Sequence, residues 1–217
     1  SAVEHLMAAL FGLYLRGMRL CHEVEQGAAT RVVFAVGAAL AIVFAFMYPV
    51  NAIDPFIYAV RSRIFTEHGG NPQAVAPAAF PDDPLMAFAS AEWGDEVSPY
   101  GPLWSLVAAP ATAIGGDDLG VALAFYKALA VAAILAGGWL VFAVVRAEAP
   151  LRAPAAALAY LWNPLLLWEG AGNGHNDALL AVPLLLAGLA WVHRREALVP
   201  AWLTIGAALK YVTLPLL

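Results

Sequence analysis

Charge is scarce in this sequence: Asp, Glu, Lys and Arg make up 12% of its 217 residues, against about 25% in a soluble globular chain. Too few charges remain to coat a water-facing surface, which excludes an ordinary soluble domain. Cysteine is scarcer still. Cys21 stands alone, so no intrachain disulfide forms and oxidation contributes nothing to the fold. Bases are outnumbered, eleven Lys and Arg against sixteen acids, and a formal net charge of −5 argues against a nucleic-acid partner. No positive run precedes the first apolar stretch. Arg16 and Arg19 follow Leu6 to Leu15, the reverse of a secretory signal. An initiating Met is also missing and the last apolar run, Val199 to Leu217, is cut short, so the expectation is a piece of a longer protein.

Apolar side chains are what the sequence has in abundance. They make up 62% of residues, and the mean hydropathy is +0.74. The fold class this predicts is an all-α integral membrane protein. A bilayer core needs about 20 apolar residues per helix, within a range of about 17–25. Val32 to Val50 fits, and Leu119 to Val145 fits with length to spare. Ala153 to Trp168, Ala178 to Val192 and Val199 to Leu217 are shorter segments of the same kind. Gly101 to Ile114 is apolar but only 14 residues long, a length that suits an interfacial or re-entrant segment as well as a span. Residues 1–30 predict an amphipathic helix lying on the cytoplasmic membrane surface, ahead of a membrane domain over 31–217.

The excess of Arg and Lys on cytoplasmic loops decides the ambiguous segment. Were Gly101 to Ile114 a span, three arginines would face six across the membrane. If it lies along the outer interface, seven of nine arginines face the cytoplasm, and only Arg61 and Arg63 lie outside. The stronger bias predicts five spans, a cytoplasmic N-terminus and outer loops at 51–118 and 169–177. Eleven of the sixteen acids then fall outside, so the net charge is a sum of two faces of opposite sign.

The outer loops carry the chemistry. Asp54-Pro55 opens a helical pattern that runs from Phe56 to Glu67 and breaks at Gly69-Gly70-Asn71-Pro72. Asp before Pro is a helix start in which Asp caps the orphan amides. The alternative for Asp54 is a general base at the membrane surface, on the same helix face as Tyr58 and Arg61. Most acids of 73–97 are expected to be solvated loop charges, and Tyr100 and Trp104 to anchor at headgroup depth. Trp162-Asn163-Pro164 breaks the third span, and Glu169-Gly170-Ala171-Gly172-Asn173-Gly174-His175-Asn176-Asp177 follows. Its glycines permit positive φ and close approach to a ligand. Glu169, His175 and Asp177 offer groups for a sugar, an anion partner or a divalent metal, while Asn176 or Asp177 could instead cap the next helix. Lys127 and Lys210 lie inside spans, where a charge faces a partner or a cavity. Each is a candidate either for pairing with an acid or for a lipid-linked phosphate, with Arg61 or Arg63 contributing from above.

Together these residues resemble the bacterial GT-C glycosyltransferases that use polyprenyl-phosphate sugars, especially the mannosyltransferases of glycosyltransferase family 87. The resemblance covers residues 30–217 and rests on Asp54-x-x-x-Tyr58 with Arg63, Gly70-Asn71-Pro72 and Ser98-Pro99-Tyr100-Gly101-Pro102-Leu103-Trp104. It continues through Asn163-Pro164-Leu165, Glu169 to Asp177, and Lys210-Tyr211. Gln73 departs from the pattern, since relatives usually carry an aromatic residue there, and such enzymes run to ten or more spans. The resemblance implies a GT-C-like bundle with juxtamembrane helices in the first outer loop. It implies Asp54 as the base that deprotonates an acceptor hydroxyl, with inversion at the sugar. Substrate contacts are implied at Tyr58, Arg61, Arg63, Asn71, Tyr100, Lys127, Glu169, Asn173, His175, Asn176, Asp177 and Lys210, the last holding the donor phosphate. No metal and no cofactor is expected. The expected partners are the lipid bilayer, a polyprenyl-phosphate sugar donor and a glycan or glycolipid acceptor. The rival reading is a non-catalytic accessory span bundle working with other membrane subunits. A transporter would show matching halves, and no internal repeat is present.

Overall fold

The computed structural model describes residues 2–21, 23–50 and 52–216. Asn51, which opens the expected outer loop, and Leu217, which ends the last expected span, lie outside the described residues. The described chain is helical, with one isolated antiparallel bridge between Tyr100 and Lys210.

Helix α1 (Ala2–Leu20) turns Met7, Leu10, Tyr14 and Met18 onto the core while Leu6, Phe11, Leu13 and Leu15 stay exposed. It runs against the later helix Ala153–Leu161, close enough that a Cβ on Gly17 would meet the Trp162 ring at 3.0 Å. Helix α2 (Gln26–Ala45) buries Ala29, Val33, Gly37, Ala41 and Phe44, one stripe at helical spacing. Its apolar pattern runs to Val50, but the helix stops at Ala45 because Pro49 has no N–H to give the Ala45 carbonyl.

Helices α3 (Asp54–Thr66) and α4 (Pro102–Gly115) then pack together across the long loop. Ser62 and Thr66 both meet the Thr112 hydroxyl, at 2.8 and 3.0 Å, so the polar seam between them is internally satisfied. Helix α5 (Leu119–Glu148) starts on an Asp118 cap, which accepts from the Gly120 and Val121 amides at 2.8 and 3.2 Å. It is the central post, touching α2, α3, α4 and the later helices Ala153–Leu161 and Asp177–Val192. Gly137 and Gly138 let α6 (Ala153–Leu161) approach; any Cβ there would strike Tyr160 and Leu161.

The third expected span breaks where the sequence places Trp162-Asn163-Pro164. Asn163 caps the short α7 (Pro164–Leu166) by accepting from the Leu165 and Leu166 amides, and a π-helical turn continues over Leu167–Gly172. The chain bends by 119° before α8 (Asp177–Val192). Helix α9 (Val199–Leu209) ends where Lys210 turns extended to pair with Tyr100, and a 3-10 turn follows at Tyr211–Leu216.

Among the described residues two helices, α2 and α5, are long and apolar enough to cross a membrane, or three if the bent pair counts as one span. This is a helical membrane protein. The five expected segments differ from that count because α6 and α9 are single helices of only 9 and 11 residues, about 14 and 17 Å against a core of about 30 Å.

Candidate active site

Asp54 is the first residue of α3, and its side chain does not cap the helix; Ile53 holds the cap position without a side-chain hydrogen bond. The capping reading of Asp54 is therefore set aside. Its carboxylate is committed elsewhere. The Tyr100 hydroxyl donates to Oδ1 at 2.6 Å and the Tyr58 hydroxyl at 3.3 Å. Burial, the neighbouring phenol and Asp54 push the Tyr58 hydroxyl well above its ordinary pKa, and burial and Asp54 likewise raise Tyr100. Both phenols therefore stay protonated and act as donors. Their orientation is held by an aromatic nest: Tyr58 lies 5.3 Å from Tyr100, 4.8 Å from Trp104 and 5.6 Å from Tyr126, all edge-on.

The second oxygen faces the glycine-rich loop. His175 Nε2 lies 3.5 Å from Asp54 Oδ2, and His175 Nδ1 lies 3.4 Å from Glu169 Oε2. Asn173, fully buried, donates to Glu169 at 2.9 Å and accepts from the Val50 amide at 3.3 Å. The π turn makes this possible by placing Glu169 and Asn173 on one side. Gly174 then turns at φ +78°, and a Cβ there would sit 3.6 Å from Pro55. Solvent still reaches the carboxylates, since the Asp54 and Glu169 side chains are 33% and 41% exposed.

Lys210 joins the cluster from α9. Its ammonium pairs with Asp177 at 2.7 Å and lies 5.7 Å from the centre of the Tyr100 ring. The Gly101 amide donates to the Leu209 carbonyl at 3.0 Å, and no Cβ fits at Gly101 beside the Ala208 carbonyl. Asp177 is the first residue of α8, and neither it nor the cap residue Asn176 makes a side-chain cap. Asn176 is buried and its Oδ1 has no partner among the described residues.

Four expected contacts sit differently. Lys127, buried in α5, donates to the carbonyls of Met47 and Gly172, so it ties the segment after α2 to the π turn and has no acid as partner among the described residues. Arg61 donates to the Glu96 and Val97 carbonyls, with burial lowering its pKa. Arg63 pairs with Asp83 at 2.8 Å and with Asp117 at 2.7 Å, so it clamps the loop. Asn71 is exposed and accepts from the Gln73 amide in a local turn. Asp82, Glu92, Asp95 and Glu96 are exposed as expected of the loop acids, and Asp83 is the exception. It is buried between Arg63 and His68, and although burial alone would raise its pKa, those hydrogen bonds and the Leu85 amide hold it below the usual range. Trp104 and Tyr126 were legible only as interface and span residues, yet they form the nest. Among the described residues no group of three His, Cys, Asp or Glu side chains is placed to hold a metal. A cavity of about 500 Å³ between α1, α2 and α6 is lined by apolar side chains and Arg16 and contains none of the acids, so chemistry rather than volume locates the site.

Residues 2–217 match the family described as alpha-(1->6)-mannopyranosyltransferase, N-terminal domain. The chain belongs to that family. It is 31% identical over 165 residues to alpha-(1->6)-mannopyranosyltransferase A of Mycobacterium tuberculosis, covering 75% of this chain and 31% of that protein. It is 28% identical over 158 residues to the A enzyme of Corynebacterium glutamicum, covering 69% and 31%. The B enzyme of the same organism is 28% identical over 145 residues, covering 65% and 23%. The chain thus spans under a third of the length of these curated relatives. No solved structure matches it.

Proposed function

We propose that this chain forms the base-bearing, N-terminal part of a membrane mannosyltransferase. The enzyme moves mannose from a polyprenyl-phosphate donor to a hydroxyl of a glycan or glycolipid at the outer membrane face. The observation that carries the reading is the division of labour on Asp54. One oxygen accepts from two phenol donors, and the other faces His175, on a side chain that is 33% exposed. In the proposed step an acceptor O–H gives its proton to Asp54 Oδ2 while its oxygen attacks the anomeric carbon from the side opposite the phosphate. The carbon–oxygen bond to the phosphate breaks, the configuration inverts, and the polyprenyl phosphate leaves with the electron pair. Lys210, solvent-accessible and bridged to Asp177 by one hydrogen bond, is the cation able to turn toward the phosphate as its charge grows. The relatives' names supply the sugar and suggest a 1,6 linkage. We further propose five crossing segments (α2, α5, α6 with α7, α8, and α9), with the loops that carry Asp54 and His175 outside.

The test is transfer of labelled mannose from polyprenyl-phosphate mannose by membranes holding the full-length protein. Asp54→Asn keeps the shape and removes the base, so transfer should fall by about a hundredfold or more. Equal transfer by both proteins would overturn Asp54's role, and no transfer by the unaltered protein would favour the accessory-subunit reading.

A further inference from the structure

The arginines divide by what they touch. Arg61 and Arg63, on the helix that carries Asp54, donate to carbonyls and carboxylates within the protein. Arg16, Arg19, Arg31, Arg146, Arg152, Arg194 and Arg195 make no hydrogen bond or ion pair among the described residues. Arg146 has only the face of Phe142, 5.8 Å away. Two of these open guanidinium groups, Arg31 and Arg146, line a single cavity of about 480 Å³.

That cavity is a built feature. Its walls are the first turns of α2, the last turns of α5 and the turn that enters α6. Gln26 donates to the Leu151 carbonyl at 3.2 Å and the Thr30 hydroxyl donates to the Gln26 carbonyl at 2.7 Å, which fixes the walls and leaves the two guanidinium groups as the uncommitted donors. Among the described residues no Asp or Glu lines it; Glu25 and Glu148 are exposed, and the Glu25 carboxylate lies at its rim beside Gly27 without pairing with Arg31. Phe142 and Leu151 give it an apolar side. It opens at the end of α2 away from Asp54, 20 residues along the helix, or about 30 Å.

We propose that this cavity binds the phosphate headgroup of an anionic phospholipid in the leaflet opposite the Asp54 site. It lies at the ends of the two helices of spanning length, which is headgroup depth. Paired arginines grip phosphate oxygens through their forked donors, and basic pockets between membrane helices recognise anionic headgroups. The apolar side accepts the glycerol and the start of an acyl chain. Nothing in this assignment depends on Asp54 being catalytic.

The test is lipid retention, read by native mass spectrometry of the full-length protein extracted from vesicles of phosphatidylcholine with phosphatidylglycerol. The unaltered protein should keep phosphatidylglycerol preferentially. Arg31→Ala with Arg146→Ala should weaken retention by about thirtyfold, roughly a factor of five for each charge. Arg194→Ala with Arg195→Ala, equally basic but outside the cavity, should keep it. Single Arg31→Gln and Arg146→Gln variants, each expected to lose about fivefold, keep the test decisive if the double variant fails to fold. Equal retention of the two lipids, unchanged retention in the cavity variants, or displacement of the lipid by inorganic phosphate alone would each overturn the proposal.

Discussion

Tyr100 is the residue on which the candidate site most depends; its local pattern reads as an interface anchor, and only the family resemblance implies a substrate contact there. It donates a 2.6 Å hydrogen bond to Asp54 from 46 positions away, while its own backbone is tied to Lys210. A side-chain pair so distant in sequence leaves no local pattern, whereas Asp-Pro at a helix start does, and that is why capping looked sufficient for Asp54. The same limit hid Asp83, whose partner Arg63 lies 20 positions upstream. His175 and Glu169 were legible, because glycines flanking acids and a histidine announce a loop shaped around a ligand. Tyr100→Phe keeps the ring in the aromatic nest and removes only the donor. A hydrogen bond to a charged group is worth about 1.5–3 kcal/mol, so transfer should fall roughly tenfold or more with the fold intact, measured by the same assay beside a thermal melt.

Among the elements, α5 and α2 were readable from hydropathy alone, since a long apolar run at bilayer length has few other uses. The π turn was not readable, because its extra residue per turn is set by how Asn173 and Lys127 tie it to the segment after α2. The contact between α5 and α6 depends on bare backbone at Gly138, where any Cβ meets Leu161. Gly138→Ala should cost about 1–3 kcal/mol through overpacking, seen as an earlier melt in detergent. The long loop has its own pH dependence. Asp83's pKa is held below its unfolded value, so its contribution is complete above the ordinary carboxylate range and is lost as pH falls through the lowered value. Protection of the amides of residues 77–97 against hydrogen exchange, taken relative to the free-peptide rate at each pH, should be high at neutral pH and fall in acid. Asp83→Asn should show the acid behaviour at neutral pH, because removing one partner of a buried pair costs about 3 kcal/mol.

At the scale of the whole molecule, the distribution of charge was the most informative thing the sequence offered, and the structure gives it content. The arginines near Asp54 are bound within the protein, and the rest are open to whatever lies at the other face. The proposed orientation rests on that division and can be measured. In a Cys21→Ser background, Asp82→Cys should react with a membrane-impermeant thiol reagent added outside cells, and Arg195→Cys should react only after lysis. The opposite labelling would invert the topology. The bridge between Tyr100 and Lys210 also has a consequence for biogenesis. Two positions 110 apart must meet before the partner of Asp54 is fixed in place, and closure over so long a stretch comes late relative to local helix formation. As the chain leaves the ribosome, the membrane helices are threaded first, with the carboxylate still loosely held. The candidate site is then completed only once Lys210 has been made, so a chain stopped between Asp177 and Lys210 would carry Asp54, Glu169 and Asp177 without the pairing that holds Tyr100 in place.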